Sequence, residues 1–254
     1  MDLIDTHAHL DEYEDIEAVI AAARKAGLGA VVAVGMDIES NGRVLELAGR
    51  FPGFVYPAIG WYPANVTSTG VEEHLAYLET NIVNAVAVGE IGLDYLSRIR
   101  NDVPKTLQQD VLTDLLRLAH SHGKPALLHT RYAWKDALAL ALETGLERAV
   151  FHSFTGPAKV LRGLLDAGYY VSVTPAVVYN REMQRVVKET PLDRLLLETD
   201  CPVVFAERRT GREPPATPAD LVKTLRGVVE LTGLSAGEIA TATSANAKNL
   251  FGIG

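Results

Sequence analysis

Residues 85–90, Ala-Val-Ala-Val-Gly-Glu, decide how the chain is organised. Five apolar residues in a row, with no polar position to face water, describe a short strand covered on both sides. A single carboxylate, Glu90, closes the run. The same construction recurs downstream. Ala126-Leu127-Leu128 ends on His129, Ala149-Val150-Phe151 ends on His152, and Leu195-Leu196-Leu197-Glu198-Thr199 leads to Asp200. Further apolar runs at 3–7, 30–34, 55–59 and 169–173 bring the expected strands to eight.

Between the strands lie segments with apolar residues at helical spacing, at about 14–26, 40–50, 71–81, 104–122, 134–144, 158–167, 181–189 and 218–231. Strict alternation of strand and helix predicts a parallel sheet with its helices outside. A doubly wound open sheet is the competing arrangement. Eight units in 254 residues favour closure into an α/β fold of the TIM type, a (β/α)8 barrel that takes up residues 1–254 as a single domain. Local signals agree. Pro104 suits a first helical turn, Gly123 a helix end, and Pro125 blocks continuation. Thr217-Pro218-Ala219-Asp220 and Ser235-Ala236-Gly237-Glu238 read as capping boxes, the second opening a short C-terminal helix. Residues 207–215 read as a loop after the eighth strand.

Hydrophobic residues make up 48% of the chain and charged ones 22%, the balance of an ordinary globular protein. One cysteine, Cys201, allows no intrachain disulfide and suits a reducing compartment. The start, Met-Asp-Leu-Ile-Asp-Thr-His, has no basic segment followed by a long apolar one, and no apolar run reaches the roughly 18 residues of a membrane span. A cytoplasmic protein with no membrane association is expected. A net charge of −8 argues against broad electrostatic capture of nucleic acid. It leaves room for a phosphate substrate, because bound metal ions can dominate the local charge of a site.

His7 and His9 stand two apart at the end of the first apolar run, a spacing that puts both imidazoles on one strand face. His120 and His122 have the same spacing inside an expected helix, where positions two apart diverge. These two, and His74, are read as surface residues. Glu90, His129, His152 and Asp200 join His7 and His9 because each closes a buried strand, and barrel sites lie at the C-terminal strand ends. Packing alone would leave them a desolvation cost. Four imidazoles and two carboxylates suit divalent metals with mixed nitrogen and oxygen ligands. Six exceed what one catalytic zinc takes from protein, and two metals bridged by a carboxylate use them economically.

Asp5-Thr6-His7-Ala8-His9, Gly89-Glu90-Ile91-Gly92-Leu93-Asp94-Tyr95, His152-Ser153-Phe154-Thr155-Gly156 and Leu195-Leu196-Leu197-Glu198-Thr199-Asp200-Cys201-Pro202 appear in this order. Together they resemble the signature blocks of the TatD family of metal-dependent deoxyribonucleases, within the amidohydrolase-like barrels. The ending Asn246-Ala247-Lys248-Asn249-Leu250-Phe251 is similar too. The resemblance implies that His7, His9 and Asp200 bind one divalent ion and His129 and His152 a second, with Glu90 bridging. It implies that Asp200 acts as general base, and that the reaction is 3′-to-5′ exonucleolytic hydrolysis of single-stranded DNA or DNA ends. DNA is then the transient partner, and no protein partner is implied. Mg, Mn, Zn and Co all fit such a donor set. The alternative is that the same barrel hydrolyses an amide, ester, lactone or aminoacyl bond.

Two positions depart from the family pattern. Gly60-Trp61-Tyr62-Pro63 stands where Gly-x-His-Pro is common, and Arg212-Glu213-Pro214 where Asn-Glu-Pro is common. Tyr62 cannot ligate as an imidazole would, but it can stack on a base or donate to a phosphate oxygen. Arg131, two residues past His129, is the candidate phosphate clamp. Arg212 is a weaker one, and more simply a solvated loop arginine. Glu198 and Asp94 are candidates for orienting the ligands. Cys201 has no assigned base and is not expected to be a nucleophile.

Overall fold

A computed structural model describes residues 2–205 and 214–254. Eight parallel strands follow in chain order around the sheet: β1 Leu3–Ala8, β2 Leu28–Val34, β3 Val55–Ile59, β4 Ala87–Asp94, β5 Ala126–Arg131, β6 Ala149–Phe151, β7 Tyr170–Val173 and β8 Leu195–Leu197. Every neighbouring pair is parallel. The expected TIM-type barrel is the observed fold, nearly closed, and the open sheet is excluded.

The continuous apolar runs are explained by two layers of packing. Ile4, Val32, Val34, Ala58, Leu127, Val150 and Leu196 fill the barrel interior. Their neighbours Leu3, Val31, Ala33, Ile59, Leu128 and Leu195 face the helices outside. Both faces are therefore dry, as a parallel barrel demands. Closure falls to the segment after β8. Ala8 bridges Cys201, the His9 amide donates to the Cys201 carbonyl at 2.9 Å, and the Asp200 amide donates to the His7 carbonyl at 2.9 Å. The seam of the barrel thus runs through candidate site residues.

The helices are α1 Ile16–Lys25, α2 Ile38–Arg50, α3 Val71–Asn81, α4 Ser97–Asp102, α5 Lys105–Ser121, α6 Trp134–Glu143, α7 Ala158–Asp166, α8 Arg181–Glu189, α9 Leu221–Thr232 and α10 Ala236–Phe251. Periodicity located all of them except α10, which the Ser235 capping box announced, and α4, which has no buried residue and so left no apolar stripe to read. The C-terminal helix is 16 residues long rather than short. Its Leu250 and Phe251, with Ile253 just beyond, plug the barrel interior. Asn246 on the same helix donates to the carbonyls of Leu192 and Leu195 at 2.8 and 2.9 Å, tying the plug to β8. Both expected capping boxes are formed. Arg212 and most of the expected loop at 207–215 lie outside the described residues.

One strand boundary also moves. β4 begins at Ala87 and continues to Asp94, so Glu90 lies within it rather than at its end. Its ladder to β5 is interrupted between Val88 and Ile91, and there the Glu90 amide donates instead to the Gly35 carbonyl at 3.1 Å. Glycine makes this possible. Gly92 has φ +150°, and a Cβ there would stand 2.0 Å from the His129 carbonyl oxygen. Gly92→Ala should therefore cost about 3 kcal/mol. That lowers the thermal midpoint by roughly 6–12 °C for a chain of this size, measurable by circular dichroism.

Candidate metal centre

The structure brings His7, His9, Glu90, His129, His152 and Asp200 together at the C-terminal mouth of the barrel. His7 is fully buried, Glu90 is 2% exposed, and His9, His129 and His152 are nearly as deep. The Asp200 side chain retains 20% exposure. In front of them opens a cavity of about 840 Å³, lined among others by His9, Tyr62, Glu90, His129, Arg131 and Asp200. That is room for a nucleotide-sized ligand.

Glu90 organises the cluster with its two oxygens. Oε2 lies 3.5 Å from His7 Nε2 and 3.6 Å from His9 Nε2. Asp200 Oδ1 stands 3.6 and 3.7 Å from the same two nitrogens, which are 3.3 Å apart. Oε1 faces the other way, 2.8 Å from His129 Nδ1 and 3.0 Å from His152 Nε2, themselves 3.2 Å apart. A tetrahedral ion with bonds of about 2.0–2.2 Å spaces its ligands roughly 3.3–3.6 Å apart. The first nest matches that spacing, and the second is slightly tighter. Groups able to hold a metal form on both sides, His7 with His9 and Asp200, and Glu90 with His129 and His152.

The histidines are aimed from behind. His9 Nδ1 lies 3.2 Å from the Val34 carbonyl, an acceptor only, so Nδ1 carries the proton and Nε2 presents its lone pair to the centre. His129 is backed by Asp94, whose Oδ2 is 3.2 Å from Nε2. His152 is backed by Glu198, whose Oε1 is 3.5 Å from Nδ1. Glu198 is fixed in turn by the Ser153 amide at 2.8 Å and the Ser172 hydroxyl at 2.5 Å. Asp94 is placed to orient His129, whereas Glu198 stands beside His152 Nδ1 without a hydrogen bond to it.

The electrostatics are those of a centre built for cations. Burial opposes charge on Glu90, but His152 and hydrogen bonds from His129, His152 and His7 outweigh it and hold the carboxyl well below the usual range. Asp200 is likewise lowered: burial works against it, and His9, His7 and His152 prevail. Burial alone would neutralise His152, yet Glu90 and Glu198 raise it well above an ordinary imidazole. Without metal, the proton held by His152 offsets part of the carboxylate charge, whereas burial and the neighbouring His152 push His7 down toward its neutral form.

Reading the sequence missed Asp5. It is fully buried two residues before His7, and it accepts the Thr199 amide at 2.9 Å and the Thr199 hydroxyl at 2.6 Å. It thereby anchors the segment that delivers Asp200. A carboxylate inside a buried strand was the signal. His74 is also not a plain surface residue. It is half-buried and stacks on Trp61, with centroids 3.8 Å apart. His120 and His122 are exposed as expected. Tyr62 sits at the cavity wall, its hydroxyl donating to Asp94 at 3.2 Å and its ring edge-on to His129. Arg131 is 45% exposed on the rim and reaches Asp94 at 3.7 Å.

A family model described as TatD related DNase matches residues 4–252. The chain belongs to the TatD family. It is 35% identical to the metal-dependent hydrolase YabD of Bacillus subtilis, over 99% of both chains. It is 30% identical to human deoxyribonuclease TATDN3, over 98% of this chain and 94% of that one. The solved structure of YjjV, a TatD homologue of Escherichia coli, matches with a TM-score of 0.89 at 31% identity, covering 99% of this chain and 98% of the other. This TatD protein is thus a metal-dependent hydrolase.

Cys201 in this TatD protein is wholly buried, and burial together with the nearby Asp5 carboxylate pushes its thiol up out of the reactive range. Native protein at pH 8 should resist iodoacetamide for hours, and denatured protein should take up one equivalent, counted by mass spectrometry. Rapid native labelling would reopen a role for the thiol.

Proposed function

We propose that this TatD protein is a two-metal phosphodiesterase that degrades DNA from the 3′ end of single strands or frayed ends. The observation that carries the reading is the Glu90 carboxylate, which turns one oxygen to each of two separate groups of ring nitrogens. His7, His9, Asp200 and Glu90 would hold one divalent ion, and Glu90, His129 and His152 the other. When bound, such ions polarise a phosphoryl oxygen and acidify water.

The protein's own groups do the rest. Asp200 is the ligand with the most open side chain, and it takes the proton of the attacking water. The water oxygen bonds to phosphorus, the P–O3′ bond breaks, and the departing O3′ takes up a proton from solvent water to leave as a hydroxyl. Arg131 holds a non-bridging oxygen. Its ion pair with Asp94 is long and is its only one among the described residues, so its donors remain available to phosphate. Tyr62 and Asp94 keep His129 in place from the cavity side. The name of the human relative, a deoxyribonuclease, supports the choice of DNA.

Metal-loaded protein should shorten a 5′-labelled single-stranded 20-mer stepwise. Asp200→Asn should reduce kcat/KM by about 10²–10⁴-fold, and chelation should abolish turnover until metal is restored. Unchanged activity in either case would sink the reading, and faster turnover of a lactone, ester or amide would replace it. Asp94→Asn should weaken metal binding by about 10–100-fold in chelator competition, because His129 loses the negative charge that orients its ring and raises its basicity.

A further inference from the structure

Beside Arg131 the chain places a large aromatic ring in solvent. Tyr132 is 64% exposed, and its backbone lies in the left-handed region at φ 57°. A bulky residue seldom adopts that conformation, and outliers of this kind gather at functional sites. The described non-glycine residues with positive φ are Tyr132, Ser153 and Asp200, and all three line the cavity of the metal centre. Ser153 has a visible task in holding Glu198, and Asp200 is a candidate ligand. Tyr132 has no task in the core.

The ring is not loose. It meets Trp134 edge-on, with centroids 5.9 Å apart and planes at 70°. Together the two aromatics form a ridge shared by two cavities. On one side lies the metal-centre cavity, and on the other a groove of about 270 Å³ that contains Lys105 and Lys135. Both lysines are exposed and have no ion-pair partner among the described residues, and the Lys105 ammonium stands 4.0 Å over the Tyr95 ring. In a chain of net charge −8, three cations (Arg131, Lys105 and Lys135) thus stand around the ridge of exposed Tyr132 and half-buried Trp134, with Asp136 as the carboxylate of the same groove. Aromatic faces flanked by cations hold single-stranded nucleic acid: the rings take bases and the cations take phosphates.

We infer that Tyr132 is the stacking platform for the nucleobase next to the scissile phosphate. The single strand then leaves the metal centre over the Tyr132–Trp134 ridge toward Lys105 and Lys135. This rests on the phosphodiesterase reading above. It carries a specificity that the metal ligands do not, because a base paired inside a duplex offers no free face. Unpaired 3′ ends are therefore the preferred substrate.

The test measures both turnover and binding. Tyr132→Ala should raise KM for a single-stranded decamer about tenfold, with kcat changed less than twofold, and Tyr132→Phe and Tyr132→Trp should keep the wild-type KM. Tyr132→Asn, which tolerates the left-handed backbone, serves as the second truncation should the alanine variant fold poorly. A decamer with an abasic site next to its 3′ nucleotide should cost wild type the same factor and cost Tyr132→Asn nothing more. Binding is followed separately by anisotropy of a fluorescein-labelled phosphorothioate decamer, where replacing Lys105 and Lys135 by Gln should lower the salt slope by about one to two. Cleavage with no dependence on Tyr132 or on the neighbouring base overturns the platform and leaves the phosphodiesterase reading intact. Tyr132-dependent binding without any cleavage overturns the phosphodiesterase reading and, with it, the placement of the base beside a scissile phosphate, leaving Tyr132 as a strand-binding residue only. Absence of both binding and cleavage overturns both.

Discussion

The Glu90 carboxylate is 2% exposed and surrounded by four imidazoles. A carboxylate this deep costs several kcal/mol unless its charge is compensated on every side. Much of the upper half of the barrel follows from supplying that compensation. β1, β5 and β6 each bring histidine to it, and β4 breaks its ladder so that the side chain points inward. The compensation is never complete with protons alone, since His7 Nδ1 remains buried without a hydrogen-bond partner. The same arrangement that is awkward without metal is a ready donor set with it.

Holding such a centre requires a rigid frame, and the frame is tied where the barrel is weakest. β8 is only three residues long, and the sheet closes through the segment that follows it. Asp5 grips Thr199, and Thr6 donates to the Leu197 carbonyl at 3.1 Å. From below, α10 seals the barrel with Leu250 and Phe251. The chain's two ends thereby meet at the bottom, where Lys248 pairs with Asp2 at 3.1 Å. Closure of the fold and placement of Asp200 are one structural event.

The rim is built differently. Tyr62, Asp94, His129 and Arg131 form a chain of contacts that runs from the buried centre outward to an exposed guanidinium. Tyr62 occupies the place where an imidazole is common in the family, and its hydroxyl serves the Asp94–His129 pair instead. The cavity wall is therefore aromatic and cationic, where the centre behind it is built of imidazoles and carboxylates.

The sequence by itself determined the eight strands, most of the helices and the six residues that gather at the mouth of the barrel. Each rested on a local regularity: a continuous apolar run, a 3.6-residue period, or an ionisable residue closing a dry strand. The resemblance of whole motifs divided the donors between two sites, which spacing alone does not do. Only the tertiary structure decided that Glu90 lies within β4, that Asp5 anchors Asp200, that Asp94 is shared by His129, Tyr62 and Arg131, and that Tyr132 stands between two cavities. The contacts of Asp5 and Asp94 join residues 32 to 194 positions apart. A periodic pattern reports which face of an element is dry. It holds no record of which neighbour that face meets, because the meeting is fixed by barrel closure and register rather than by any one segment.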